Sequence, residues 1–253
     1  MDLNLNGKTA AVAGATRGIG RAIAELLAAE GCNVSLCARD GAAVDHVVES
    51  LKAGGANAMG QAADATDRAA QDSWLDATVD AFGGLDIFIA NVSALNQGTD
   101  EDAWRQSFEV DMMASFNGIE AALPHLKGAN GGSIVLISSI AALHVPGGPK
   151  PYGAMKAAVI NYAKGLARSL APEGVRVNAV SPGNIYFEDG VWGKTERNNP
   201  EFVAKQVAAN PMGRMGTPKE VASAAVFLAS PAAGFVSGTN LVVDGALTLG
   251  VQY

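Results

Sequence analysis

Lys8-Thr9-Ala10-Ala11-Val12-Ala13-Gly14-Ala15-Thr16-Arg17-Gly18-Ile19-Gly20 passes from an apolar run into a helical pattern through a turn spaced Gly-x-x-x-Gly-x-Gly. A strand that ends on glycines and opens a helix suits phosphate binding. Backbone N–H groups and the positive end of the helix dipole can hold a pyrophosphate, while the glycines let the turn close, the ligand approach and the helix pack. The candidate cradle is Gly14, Thr16, Arg17, Gly18, Ile19 and Gly20. A tight turn needed only for packing would read the same way, and the spacing differs from the Gly-x-Gly-x-x-Gly of many dehydrogenases.

Outward from this turn, apolar β-branched runs alternate with longer patterns carrying apolar residues every three or four positions, the signature of repeated βαβ units. The predicted strands are Thr9–Ala13, Asn33–Ala38, Ala56–Gln61, Asp86–Asn91, Ser133–Ser138, Arg176–Val180 and Asn240–Val243. The best-marked helices are Ile19–Glu30, Asp67–Phe82, Asp102–Lys127, Tyr152–Ala171 and Lys219–Ala229, and further helices fill the gaps. The fold class is α/β: a single-domain, doubly wound parallel sheet (Rossmann-like) with helices on both faces. At 253 residues one domain spans 1–253, because α/β folds of this size form one core. Between Gly183 and Gly216 the periodicity fades into glycines, prolines, polar residues and three aromatics, Tyr186, Phe187 and Trp192. Such a stretch is read as a substrate lid over 184–215.

Hydrophobic residues make up 49% and charged residues 17%, with 30 glycines, which suits a buried parallel sheet under Ala-rich helices. The net charge of −7 argues against nucleic acid or an anionic membrane as partner, since both demand a basic face. No apolar run reaches the roughly 18 residues of a membrane span, and Met1–Lys8 lacks a secretory pattern, so the cytoplasm is the default location. Cys32 and Cys37 read as buried free thiols, and His46, His125 and His144 lack metal-ligand spacing; no metal is expected. His144 follows Ser139 by five residues, on a loop placed to border a substrate.

The run Gly132–Ser139 reads as a strand ending in hydroxyls, and Tyr152-Gly153-Ala154-Met155-Lys156 opens a helix with Tyr152 and Lys156 on one face. A phenol titrates near ~10 and needs a cation beside it to exchange a proton at neutral pH. Lys156 can be that cation, and Ser139 can hydrogen-bond a substrate oxygen as charge develops on it. Taken alone the pair is weak, because helices often carry a packed tyrosine and a solvated lysine.

Together with the glycine turn, the serine thirteen residues before the tyrosine and Tyr-x-x-x-Lys, the chain resembles the short-chain dehydrogenase/reductase family over nearly its whole length. Also similar are Asp64, Asn91, Asn178–Gly183 and the ending Val236–Gly245. The resemblance implies Tyr152 as general acid/base, Lys156 lowering its pKa and binding the nicotinamide ribose, and Ser139 orienting the carbonyl. It further implies Asp64 and Ala65 at adenine, Asn91 to Ser93 on the ribose side, and Pro182, Gly183 and Ile185 over the nicotinamide. The chain departs from the pattern in three places: Ala90-Asn91-Val92-Ser93 stands for Asn-Asn-Ala-Gly, so that Ser93 replaces a glycine; Phe187 replaces a threonine; and Asp111 stands where the family often places the asparagine of its catalytic set. That asparagine acts through its backbone carbonyl, so Asp111 is kept in the catalytic set with its side chain expected to point away from Lys156.

Cofactor choice is decided at the end of the second strand, where an acidic residue would bind the ribose of NAD. Here Arg39 is placed to meet a 2′-phosphate, with Arg17 as a second cation, so NADP is expected in preference to NAD; a one-residue shift to Asp40 would reverse the choice. The expected activity is NADP-dependent hydride transfer between nicotinamide and a small or medium secondary alcohol or ketone. A non-catalytic dinucleotide-binding regulator and a 3-oxoacyl-carrier-protein reductase are the alternatives. The loop Gly128–Gly132 offers an acidic carrier no cation beyond neighbouring Lys127, and Glu173 is acidic, which favours a free small molecule. The Ala-rich helices Asp102–Lys127 and Tyr152–Ala171 and the apolar C-terminal strand region are long surfaces that a monomer would expose; the resemblance implies that two-fold contacts bury them, in a homotetramer or, as the alternative, a dimer.

Overall fold

The computed structural model describes residues 2–127, 131–145 and 147–251. Of the loop read against carrier docking, 128–130 lie outside the described residues. Seven strands form one sheet: β1 (Thr9–Ala13), β2 (Asn33–Ala38), β3 (Ala58–Ala62), β4 (Ile87–Ala90), β5 (Ser133–Ile137), β6 (Arg176–Pro182) and β7 (Asn240–Val243). Every pairing is parallel, in the order β3-β2-β1-β4-β5-β6-β7. The order reverses between β1 and β4, and a ligand crevice opens outside the carboxyl ends of strands at such a switch point.

Alternation along each strand builds two cores. Ala10 and Val12 face one layer with Ile23, Leu27, Val44 and Val226. Ala11 and Ala13 face the other with Trp74, Leu75, Ile119 and Val159. The first layer is closed by α1 (Gly18–Ala29), α2 (Gly41–Ala53) and α9 (Pro218–Ala229), the second by α3 (Arg68–Phe82), α5 (Ala114–Leu126) and α6 (Pro151–Leu170). Both faces of the sheet are therefore covered, as a parallel sheet requires. Among the described residues no helix is long and apolar enough to cross a membrane.

Beyond shifts of one or two residues at strand ends, two stretches depart from the sequence reading. The single helix expected over Asp102–Lys127 is α4 (Glu101–Ser107), a π-helical turn (Phe108–Met113) and α5. A π-turn inserts one residue and rotates the remainder of the helix, a shift that three- and four-residue spacing does not register. The stretch after β6 also folds, into α7 (Val191–Asn198) and α8 (Pro200–Ala209). Its two ends are zipped by a parallel bridge, with Gly216 N–H donating to Asn184 O at 2.9 Å and Tyr186 N–H to Gly216 O at 2.8 Å. Trp192 of α7 stacks on Phe202 of α8, ring centroids 6.2 Å apart.

Candidate active site

At the switch point β1 runs straight into the glycine turn. Gly14 and Gly18 have φ of +72° and +54°, values that a Cβ disfavours. Gly20 is packed so closely that a Cβ would lie 2.2 Å from Gly14 O and 2.4 Å from Asn91 Nδ2. Asn91, just beyond β4, donates from Nδ2 to that same Gly14 carbonyl at 2.8 Å, joining the ends of β1 and β4. The N-cap Arg17 makes no side-chain bond to α1, leaving the helix's first N–H groups open toward the crevice.

The crevice widens into a cavity of about 1750 Å³ that runs from Arg39, Asp64 and Ala65 past Asn91 and Ser93 to Ser139, Tyr152 and Lys156. Thr16, Arg17, Gly18 and Ile19 line it on one side, Pro182, Gly183 and Ile185 on another. Asp64 accepts from the Thr66 N–H at 2.9 Å and its hydroxyl at 2.8 Å; these bonds, chiefly the backbone one, hold its carboxyl below the usual range, and nearby Arg39 adds to the effect. Arg39 is exposed on the cavity wall. Asp40 turns away as the N-cap of α2, accepting from Ala43 N–H at 3.2 Å.

Ser139 follows β5 and caps a short 3-10 turn, its Oγ accepting from Ala141 N–H at 3.1 Å. With its acceptor side engaged, the hydroxyl hydrogen is free to donate elsewhere. Tyr152 and Lys156 stand one turn apart in α6, the ammonium 5.8 Å from the centre of the phenol ring. Lys156 is 2% exposed; its Nζ donates to Ile137 O at 3.1 Å, while Ser138 Oγ donates to the lysine's own carbonyl at 2.8 Å. Burial pulls the Lys156 pKa down, and the Asp111 carboxylate works against that pull. Burial pushes the Tyr152 phenol up to about 12; a hydrogen bond from Ser139 opposes the rise, Asp111's charge adds to it, and Ser93 opposes it again.

Asp111 corrects the sequence reading. Its carboxylate does not point away from the lysine: Oδ1 lies 3.3 Å from Lys156 Nζ with both side chains buried. The π-turn carries residue 111 to the inside of the helix, where Ser93 Oγ donates to the same oxygen at 2.5 Å. The backbone carbonyl of Asp111 accepts a 3.4 Å bond from the Ser115 hydroxyl.

Comparison with known proteins agrees with this geometry. The family profile described as enoyl-(acyl carrier protein) reductase matches residues 14–248. The chain is 37% identical over 253 residues to isoepoxydon dehydrogenase of Penicillium expansum, covering 98% of each chain. It is 35% identical to the 3-oxoacyl-[acyl-carrier-protein] reductase of Vibrio cholerae, covering 97% of this chain and 99% of that one. A 7α-hydroxysteroid dehydrogenase, solved with NADH and 7-oxo glycochenodeoxycholic acid, superposes with a TM-score of 0.89 at 29% identity over 97% of this chain and 96% of that one. The chain is a short-chain dehydrogenase/reductase.

As a member of this family of oxidoreductases the chain binds a nicotinamide dinucleotide, and the residues present fit one. The turn accepts no Cβ at Gly20, the first amides of α1 are open, and the cavity exceeds the several hundred Å³ usual for one small ligand. Sequence reasoning missed part of the wall of this short-chain dehydrogenase/reductase. Trp104 of α4, Gln97 and Lys150 line the outer cavity, with Lys150 Nζ donating to Gln97 at 3.1 Å. Gln97 and Trp104 come from the stretch after β4 and Lys150 is the residue before α6, with no shared motif to mark them. The ring of Phe187, one of the departures from the family pattern, covers the glycine turn, where a Cβ on Gly18 would meet it at 2.6 Å. His144 is on the wall, as its place in the sequence suggested.

Proposed function

We propose that this chain transfers hydride between NADP and a small or medium secondary alcohol or ketone, with Ser139, Tyr152, Lys156 and Asp111 as its catalytic set. The observation that carries the reading is the meeting of Tyr152, Lys156 and Ser139 at the inner end of the dinucleotide cavity. A bound nicotinamide supplies hydride in reduction and takes it in oxidation. Tyr152 gives its hydroxyl proton to the carbonyl oxygen in reduction and recovers it in the reverse direction. Its phenol is protonated at neutral pH, so it stands ready as the acid. The buried ammonium of Lys156 stabilises the phenolate left behind, and the Ser139 hydroxyl donates to the substrate oxygen.

Support for NADP comes from the end of β2. Arg39 and Arg17 line the cavity and form no salt bridge among the described residues, whereas the Asp40 carboxylate is spent on capping α2. A charge-assisted hydrogen bond to a 2′-phosphate is worth about 1.5–3 kcal/mol, roughly a 10- to 150-fold preference. The segment 184–215 is the substrate lid, which its two helices, zipped base and cavity-facing Trp192 and Phe202 support. Carrier docking has the weaker support, since Lys127 is tied to Glu173 at 2.9 Å. We further propose a homotetramer in the cytoplasm, the assembly resting on exposed Phe108, Phe235, Leu249 and Val251. The test is a panel of ketones and secondary alcohols assayed with NADP(H) and NAD(H). NADPH-dependent turnover of at least one free ketone is expected; activity confined to carrier-bound acyl groups, or equal efficiency with NADH, contradicts the reading.

A further inference from the structure

Two of the positions where the chain departs from its family, Ser93 and Asp111, come from different segments and meet in the fold. Ser93 Oγ donates to Asp111 Oδ1 at 2.5 Å, and the same oxygen lies 3.3 Å from Lys156 Nζ. Asp111 is 0% exposed and its Oδ2 has no partner among the described residues. A buried carboxylate left short of donors is costly, which makes each remaining donor matter. Glycine at 93 offers no hydroxyl to this carboxylate.

Ser93 and the reacting phenol line the same cavity, and the serine hydroxyl works against the upward pull of burial on the Tyr152 pKa. One hydroxyl hydrogen cannot serve two acceptors at once. The charged groups around it are Asp111 from the π-turn and Lys156 from α6, while the β5 side contributes the Ser139 hydroxyl and the Ile137 carbonyl.

Resting on the proposed role of Tyr152, we propose that Ser93 is a positioning residue for the acid/base pair, acting as one unit with Asp111. Its hydroxyl partners Asp111 while Tyr152 holds a proton and turns to the phenolate once that proton has moved, with Lys156 then holding Asp111 alone. The serine and the aspartate are thus a matched replacement for the family's glycine and asparagine.

The experiment is a double-mutant cycle on the full-length protein with Ser93→Ala, Asp111→Asn and both together, plus Ser93→Thr. The substrate is the panel ketone reduced fastest by wild type, and NADPH affinity is followed separately by its fluorescence. Ser93→Ala should lower kcat about tenfold, from loss of one charge-assisted bond, a larger loss than in NADPH affinity, and Ser93→Thr should restore most of the rate. In the Asp111→Asn background the same serine change should cost less than about threefold, and should lower the melting temperature less than in wild type, a readout that needs no substrate. The alkaline limb of kcat in ketone reduction should move up in Ser93→Ala and down in Asp111→Asn. Equal cost of Ser93→Ala in both backgrounds overturns the proposal, as does weakened NADPH binding with kcat unchanged. Tyr152→Phe separates the two levels: full activity there defeats the functional reading, whereas an inactive Tyr152→Phe beside an unaffected Ser93→Ala defeats only the pairing.

Discussion

Replacing Gly20 by alanine tests the dinucleotide cradle through atoms fixed in the fold. The new methyl carbon would lie 2.2 Å from Gly14 O and 2.4 Å from Asn91 Nδ2, the two ends of the 2.8 Å bond that joins β1 to β4. Van der Waals contact begins near 3.4 Å, so α1 must retreat by about 1 Å or the bond must break. Overpacking of this kind costs about 1–3 kcal/mol and a lost buried hydrogen bond about 1 kcal/mol more. For a chain of this size the sum, about 2–4 kcal/mol, lowers the melting temperature by roughly 4–16 °C. Because the same shift moves the α1 amides, NADPH affinity should weaken about tenfold or more, read by fluorescence titration beside thermal melts. Gly165→Ala is the control: a Cβ there meets nothing within 4 Å, and alanine in a helix interior stabilises by up to about 1 kcal/mol. A Gly20→Ala protein with wild-type melting temperature and NADPH affinity would refute the reasoning.

Arg39→Ala should reduce kcat/KM with NADPH about 10- to 100-fold and leave NADH within a few-fold, measured by paired cofactor kinetics. Stability should decline above about pH 9. Burial holds the Cys32 and Cys37 thiols at about 12 against 9.0, and Tyr152 at about 12 against 10.0. The unfolded chain therefore releases these protons first: their contribution is intact below pH 9 and is lost between about 9 and 12, at about 1.4 kcal/mol per unit of gap for each buried thiol and less for the half-buried phenol. Lys156, depressed by burial, opposes the decline below its ordinary 10.5. Urea unfolding across this range should show a shallower fall in Cys37→Ala than in wild type; identical slopes would remove the thiol from the account. Light scattering should give a tetramer, and a monomer at micromolar concentration would refute the assembly.

What the sequence discloses is what short-range spacing encodes. The β1 to α1 turn, the place of Ser139 at the tip of β5 and the shared helix face of Tyr152 and Lys156 were legible from spacing within a few positions, whereas reading them as one site rested on the family resemblance. Strand ends were less legible: β3, an edge strand with half-buried Met59, Gly60 and Gln61, lies at Ala58–Ala62 where Ala56–Gln61 was expected, and β6 runs on to Pro182 past the expected Val180. The side of the helix that Asp111 faces was not legible, since it depends on the extra residue of a π-turn and on a hydroxyl from the β4 loop. The wall that Gln97 and Trp104 share with Lys150 was hidden for the same reason, because only the packing of distant segments brings Lys150 to it.

The central claim is that Tyr152 exchanges the proton that accompanies hydride transfer, and Tyr152→Phe tests it most directly. Removing the hydroxyl leaves the ring, Lys156 and the glycine cradle in place, so NADPH should bind with near wild-type affinity. Turnover of a ketone accepted by wild type should fall at least about a hundredfold, the scale of general acid catalysis. Retained turnover in Tyr152→Phe, with NADPH affinity unchanged, would contradict the account.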